Sequence, residues 1–211
     1  MRLAAGARGH RGALTGGPQN IYNLRAERSL SGNDVRHRFV WSSVYELPFG
    51  KGRPFWSQGK AATVFGGWNI GAIVTLQAGS PVGLTVQNNN TNAFSGPLRV
   101  NVLRNPELPK GERTVERWFD TTAVVAPPAL TFGNSGRALL TGPGVANWDM
   151  SLLKNTSLGE SVNLQFRAES FNVFNRANFE EPSRALGAPG FGVISIARAA
   201  RTMQLGLKLT F

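Results

Sequence analysis

The sequence predicts an all-β fold built as an antiparallel meander of amphipathic strands. Apolar and polar residues alternate in five separate segments, residues 35–47, 67–78, 147–158, 161–174 and 201–211. Alternation has the period of a β-strand, so each segment has one apolar and one polar face. No stretch approaches the roughly 20 apolar residues of a membrane helix. The connections between the segments are in turn long and short.

The first two predicted strands carry aromatic residues on their apolar faces. Residues 35–47 place Phe39, Trp41 and Tyr45 on one face, and residues 67–78 begin their apolar face with Trp68. Aromatic residues near strand ends are typical of the interfacial girdles of a membrane barrel. In a soluble protein the same faces would pack in a sandwich core. Residues 48–60, which contain Gly, Pro and three cations, predict a turn or loop between the two strands.

The third and fourth predicted strands are joined by the shortest connection. Residues 158–160 predict a tight turn, which makes residues 147–158 and 161–174 neighbours in the sheet. Lys154 is an exception on the apolar face, where a lysine is tolerated if its amine snorkels to an interface. The polar face of the fourth strand must contact water. That face would be the outer surface of a soluble sandwich or the lining of the interior of a barrel. It carries Asn163, Gln165, Arg167 and Glu169.

The fifth predicted strand, residues 201–211, ends on an aromatic residue. Its apolar face consists of Met203, Leu205, Leu207, Leu209 and Phe211. An exposed aromatic strand end is unusual in soluble proteins, whose edge strands are protected by charge or proline. In a membrane barrel, Leu205, Leu207, Leu209 and Phe211 would face lipid, whereas Asn163, Gln165, Arg167 and Glu169 would face the lumen.

The two longest connections, residues 79–146 and 175–199, lack comparable strands. In the first, the sequence GERTVERWFD predicts a short helix with Val115, Trp118 and Phe119 on its inner face. Long and short connections alternate along the chain, as outer loops and periplasmic turns do around a membrane barrel. The sequence therefore predicts the last strands of a transmembrane β-barrel with long outer loops.

Composition excludes several classes of function. The 211 residues include no cysteine and two histidines, which excludes a disulfide framework and cysteine-based zinc sites. Neither histidine lies in a nucleophile motif, so we expect no enzyme activity, no catalytic residue and no cofactor. Glu180 and Glu181 could contribute to a calcium site, but adjacent carboxylates are more often solvated surface, and we predict no metal site. The net charge of +11 comes from scattered cations, which predicts no nucleic-acid partner.

The amino-terminal residues 1–33 predict a separate basic segment, disordered or in a loop, before a barrel part at residues 34–211. Repeated Arg and Gly interrupt the apolar core that a secretory signal needs, so export would need a signal peptide that this stretch does not supply. We expect the chain to be a fragment of a longer protein.

Five motifs resemble the C-terminal barrel segment of TonB-dependent outer-membrane receptors, in particular the Oar-like branch. They are GWNIGAIVTLQAGSPV, ERWFDTTA, FGNSGRALLTGPGVANWDMSLLKN, NLQFRAESFNVFNRANF and MQLGLKLTF. They occur in the family's order and lie between residues 35 and 211.

The resemblance implies a partial nutrient transporter in the bacterial outer membrane. Its partners would be outer-membrane lipid, the remaining barrel strands and plug, the barrel-assembly machinery that reads the terminal aromatic, and the TonB complex through the plug. The substrate would be an unidentified small molecule, peptide or glycan. The resemblance also implies that residues 48–60 and 158–160 lie in the periplasm and the two longest connections lie outside. The alternative is a soluble or surface-anchored all-β interaction module, in which the aromatic faces form a core.

Overall fold

The structure is a computed structural model that describes residues 17–93, 96–159 and 161–211. It divides into two compact units. The sheet unit comprises His37–Ala78, Gly144–Asn178 and Ala197–Phe211, and the loop unit comprises residues 17–36 together with Gly79–Pro143 and Phe179–Ile196, as far as these are described.

Long strands build the sheet unit, whereas the loop unit contains two-residue strands between turns and irregular segments. In chain order the strands are β1 (Arg38–Glu46), β2 (Trp68–Gln77), β3 (Pro81–Val82), β4 (Thr85–Val86), β5 (Asn101–Val102), β6 (Val124–Val125), β7 (Leu140–Thr141), β8 (Val145–Ser157), β9 (Asn163–Phe171), β10 (Ala185–Leu186) and β11 (Thr202–Thr210). The helices are α1 (Gly59–Phe65) and the 3₁₀ turns Leu24–Glu27, Lys110–Glu112 and Thr121–Ala123. Among the described residues, none of these helices has the length and hydropathy of a membrane-spanning helix.

The sheet unit contains one antiparallel sheet with the strand order β1-β2-β8-β9-β11. These are the five predicted strands, and they follow the predicted meander. The predicted and observed strand ends differ by at most three residues. The first strand was predicted to begin at residue 35 and begins at Arg38, and the fourth was predicted to end at residue 174 and ends at Phe171. The hairpin between β8 and β9 is closed by the Leu158 amide, which donates to the Val162 carbonyl at 2.8 Å. Glu160, the last residue of the predicted turn, lies outside the described residues. The all-β prediction is confirmed.

The loop unit has a small hydrophobic core that alternation did not predict. Its short strands pair as β3 with β7, β5 with β6, and β4 with β10. Six buried side chains form the core: Val82, Leu84, Val100, Phe119, Val124 and Leu140. The long connection is therefore a folded structure with its own packing.

The predicted helix over GERTVERWFD is wrong. Lys110–Glu112 forms only a 3₁₀ turn, and the next residues close a turn in which the Thr114 amide donates to the Arg117 carbonyl at 3.0 Å. The Thr114 hydroxyl also accepts from the Arg117 amide at 3.1 Å. Local bonds to a threonine side chain compete with helical bonding. Phe119 nevertheless is fully buried, whereas Trp118 is half-buried.

Part of the predicted basic segment is packed into the loop unit. The Gln19 side chain donates to the Gly133 carbonyl at 2.9 Å and accepts from the Arg99 amide at 2.7 Å. The Glu27 carboxylate pairs with the Arg99 guanidinium at 2.8 Å and with Arg137 at 3.5 Å. The predicted boundary between residues 1–33 and 34–211 stays a prediction, and residues 1–16 lie outside the described part of the chain.

Candidate membrane-facing sheet

The register of the sheet places most of the apolar residues of the five strands on one face, whereas a smaller apolar set lies on the opposite face and includes Val40, Val44, Ile73, Leu153 and Phe171. Directly paired residues share a face, and the pairs Tyr45–Ile70, Trp68–Lys154 and Phe166–Leu207 connect the faces across the sheet. The resulting apolar face contains Phe39, Trp41, Tyr45, Trp68, Ile70, Ala72, Val74, Leu76, Ala146, Trp148, Met150, Leu152, Leu164, Phe166, Ala168, Met203, Leu205, Leu207 and Leu209. A largely apolar surface thus extends over the sheet, interrupted by four polar residues: Ser43, Lys154, Thr156 and Ser170.

This apolar face is not a hydrophobic core. Trp41 is 48% exposed, Leu207 is 71% exposed and Phe211 is 93% exposed. Trp148 and Phe166 are half-buried. All the buried apolar side chains of the described residues belong to the loop unit. An exposed apolar surface of this extent marks an interaction with lipid or with another protein.

Aromatic side chains lie toward both ends of the apolar face. Trp148 and Phe174 contact edge to face at one end, with 5.4 Å between ring centroids. Trp68 and Phe166 contact in the same way toward the other end, at 6.4 Å. Trp68 pairs with residue 154, six residues along β8 from Trp148, which is about 20 Å at the rise of a strand. The separation approaches the roughly 25 Å apolar band of an outer-membrane barrel.

Comparison with known families identifies the fold family of the chain. Residues 3–204 match the model of an outer membrane beta barrel domain. The chain belongs to this outer-membrane β-barrel family. No curated protein and no solved structure matches the chain significantly. Membership of the family indicates the bacterial outer membrane as the location of this barrel chain.

The predicted lipid-facing and lumen-facing residues lie on opposite faces of the sheet. Leu205, Leu207 and Leu209 project from one face of β11, followed by Phe211 just after the strand. On β9, the residues predicted to face the lumen are Asn163, Gln165, Arg167 and Glu169, and they pair with Thr210, Lys208, Gly206 and Gln204 of β11. The assignment of these faces to lipid and lumen stays a prediction.

Hydrogen bonds and ion pairs connect the side chains of the polar face. Gln165 donates to Asn155 at 2.9 Å, and the Ser157 hydroxyl bonds to Asn163 at 2.9 Å. Glu169 accepts from Gln204 and pairs with Arg167 at 3.2 Å. These contacts supply hydrogen-bond partners to polar side chains of this face.

A depression of about 340 Å³ lies over the sheet near the middle of β1, β2 and β8. Gly71 and Ser151 both line it, and a Cβ at residue 71 would lie 2.4 Å from the Ser151 hydroxyl. The carboxylates that line it, Asp149 and Glu169, already bond to protein groups. Its volume lies at the lower end of the range for small-ligand sites.

Buried asparagines fix the strand ends that lead into residues 175–199. Asn172, in a left-handed backbone conformation with φ 52°, donates to the Arg176 and Ala199 carbonyls at 2.9 and 3.3 Å. The Asn172 backbone amide donates to the Asp149 carboxylate at 2.9 Å. The Asn178 side-chain oxygen Oδ1 accepts from the Ala146 backbone amide at 2.8 Å. Sequence reasoning did not identify these residues, although an asparagine directly after a strand is a signal for a positive φ.

Lys154 is held on the apolar face by helix α1. Its amine donates to the carbonyls of Thr63, Val64 and Gly66 at 2.9, 2.6 and 3.1 Å. The same amine lies 5.0 Å from the centre of the Trp68 ring. Carbonyls at a helix C-terminus are without helical partners, and a cation there is favourable. The conflict in the alternation of β8 is thus explained by a partner distant in sequence.

The Asp120 carboxylate of the loop unit accepts hydrogen bonds from two neighbouring side chains. The Thr122 hydroxyl donates to Asp120 at 2.8 Å and, with the Arg104 guanidinium at 2.7 Å, lowers the pKa of that carboxyl. Because the folded pKa is the lower one, this contribution to stability is present above the unfolded pKa and is lost as pH falls through the folded pKa. Glu181 accepts from the Ser80 hydroxyl at 3.0 Å. Among the described residues, no three His, Cys, Asp or Glu residues form a group that could hold a metal ion.

Proposed function

We propose that the chain is the C-terminal part of the barrel of a TonB-dependent outer-membrane receptor of the Oar-like branch, a transporter for nutrient uptake and not an enzyme. Membership of the outer-membrane barrel family supports the coarser part of this proposal. The five ordered motifs support the finer part.

The observation that carries the proposal is the exposed apolar face of the sheet. Five adjacent strands present it in one register, yet none of its side chains is among the buried apolar residues of the described chain. A soluble module would need these side chains in a core. A membrane barrel needs them outside, because lipid is the solvent of that face.

The strand count indicates the partners. A sheet of five strands is smaller than the roughly eight-stranded minimum of a closed barrel, and open edges are costly in lipid. We therefore propose that further strands of the full-length receptor pair with β1 and β11. A plug domain would fill the lumen and contact the TonB complex, and the barrel-assembly machinery would read the strand that ends at Phe211.

Substrate contact is proposed for residues 79–146 and 175–199. Both stretches contribute to the loop unit, whose core of Val82, Leu84 and their neighbours gives it a defined surface. A folded outer loop loses less conformational entropy on binding than a flexible one. The substrate class stays a small molecule, peptide or glycan.

The orientation of the barrel gives a direct test. We expect a membrane-impermeant maleimide to label Leu103→Cys on intact cells that carry the full-length receptor. It should label Leu158→Cys only after the outer membrane is permeabilised. The two leucines are matched, since they are 63% and 59% exposed. The reverse pattern would refute the proposed orientation.

A further inference from the structure

The connection between β1 and β2 is more structured than a periplasmic turn needs to be. Residues 48–66, here called the rim segment, form a tight loop followed by helix α1. The Gly50 amide donates to the Phe55 carbonyl at 3.0 Å. Gly50 has φ 104°, and a Cβ there would lie 2.5 Å from the Gly66 Cα, so the loop packs directly on the end of the helix.

The rim segment exposes a cluster of aromatic rings. Phe49 stacks on Trp56 with 5.0 Å between centroids, and Trp56 contacts Phe65 at 4.7 Å. Despite these contacts, Phe55 is 57% exposed, Trp56 is 53% exposed and Val64 is 57% exposed. Rings held together yet open to the surroundings are an interaction surface rather than a core.

The charge of the rim segment has one sign. Residues 48–66 contain Lys51, Arg53 and Lys60 and no acidic residue. Arg53 pairs with Glu46 at the end of β1. Lys51 and Lys60 are exposed. Aromatic rings beside exposed cations are the composition of a segment that lies in the interface of an anionic membrane.

The structure also fixes the side of the sheet on which this segment lies. Lys154 and Trp68 belong to the apolar face, and both bond to the end of α1: the Lys154 amine donates to three carbonyls, and the Trp68 indole donates to the Val64 carbonyl at 3.1 Å. The rim segment is thus continuous with the face that the proposed function assigns to lipid.

We propose that the rim segment is a membrane anchor that inserts its aromatic rings at the headgroup level and binds anionic phospholipid of the periplasmic leaflet through Lys51 and Lys60. The inference rests on the proposed function, because it uses the lipid-facing assignment and the orientation of the sheet. It adds a lipid-binding site outside the strands and gives Lys154 the role of positioning that site.

The test uses fluorescence quenching in vesicles of equal parts phosphatidylcholine and phosphatidylglycerol. Single-cysteine variants of the full-length protein, Val64→Cys, Leu207→Cys and Lys208→Cys, are labelled with bimane and exposed to brominated phospholipids. We expect bromine near the glycerol to quench the label at residue 64 most, because interfacial segments lie roughly 5–10 Å into the headgroup–acyl boundary. Bromine deep in the chains should quench residue 207, and neither should quench residue 208.

The reference positions separate the two proposals. A label at residue 64 that is as unquenched as that at residue 208, while residue 207 is quenched, would overturn the anchor and leave the barrel assignment intact. An unquenched residue 207 would contradict the barrel assignment itself.

Charge neutralisation tests the lipid preference. Replacing Lys51 and Lys60 by Gln should lower the equilibrium constant for membrane docking of the rim segment, measured by quenching at residue 64, in the mixed vesicles. The expected decrease is up to about fivefold per charge, which corresponds to about 1 kcal/mol per surface cation. It should change nothing in pure phosphatidylcholine, and Lys110→Gln should change nothing in either. If the labelled Val64→Cys protein that keeps Lys51 and Lys60 is quenched equally in both vesicle types, anionic-lipid binding is overturned. Labelling of Val64→Cys on intact cells by an impermeant maleimide would overturn the assignment of the rim segment to the periplasmic leaflet.

Discussion

Replacing Phe211 by alanine is expected to reduce the amount of membrane-inserted barrel strongly, whereas Thr210→Ala should leave it near normal. Phe211 is 93% exposed and follows the apolar positions Leu207 and Leu209. Its transfer from water to an apolar surrounding is worth about 1.5–3 kcal/mol, roughly a ten- to hundredfold change in an equilibrium. The aromatic end is also the proposed recognition signal for the barrel-assembly machinery. The substitution therefore weakens both membrane insertion and recognition by that machinery.

Thr210→Ala is the matched control on the neighbouring residue. Thr210 pairs with Asn163 on the polar face, where a substitution changes stability by about 0.5 kcal/mol or less. Both variants are made in the full-length receptor, and the heat-modifiable band in the outer-membrane fraction is measured. Equal insertion of the two variants would remove the argument that the apolar register of β11 directs membrane insertion.

Phe119→Ala should unfold the loop unit without preventing assembly of the sheet. Phe119 is fully buried and contacts Phe191 edge to face at 5.2 Å between centroids. Removing a buried phenylalanine from a core costs about 3–5 kcal/mol, which is a large part of the stability of a small core. Substrate contact by residues 79–146 would be lost with the loop unit.

The measurement for Phe119 is amide hydrogen exchange in the inserted protein. Protection should fall in residues 79–143 and persist in β8, β9 and β11. Phe132→Ala, at a position that is 37% exposed, should leave protection almost unchanged. Normal protection in Phe119→Ala would contradict a cooperative core in the loop unit, and loss of protection in both units would contradict its independence from the sheet.

Local periodicity predicted the strands because their faces are set by every second residue. The five strands and the face of Leu207 follow from alternation, which needs no distant contact. The order of the strands follows from their succession along the chain as a meander. Lys154 breaks that alternation, and its reason lies in the carbonyls of helix α1, about 90 residues away in sequence. Helix α1 itself was not predicted, because its seven residues, of which the first is a glycine, give too few turns for a helical period.

The loop unit was the least predictable part for a related reason. Its strands are two residues long, so they carry no period, and its core joins residues as distant as Val82 and Leu140. The burial of Phe119 was predicted correctly but on a helix that does not form. The asparagine contacts at the end of β9 likewise depend on segments that meet only in the folded chain, such as Asn172 with Ala199.

The central claim is that one face of the sheet contacts lipid and the other contacts water. The most direct measurement is a spin-label scan of the nine residues of β11, Thr202–Thr210, in the full-length protein in vesicles, with collision rates to oxygen and to a water-soluble nickel complex. The account predicts that oxygen accessibility peaks at Met203, Leu205, Leu207 and Leu209, and that nickel accessibility peaks at the other five residues of the strand. Nickel accessibility that is equally high at both sets of positions would contradict the membrane barrel.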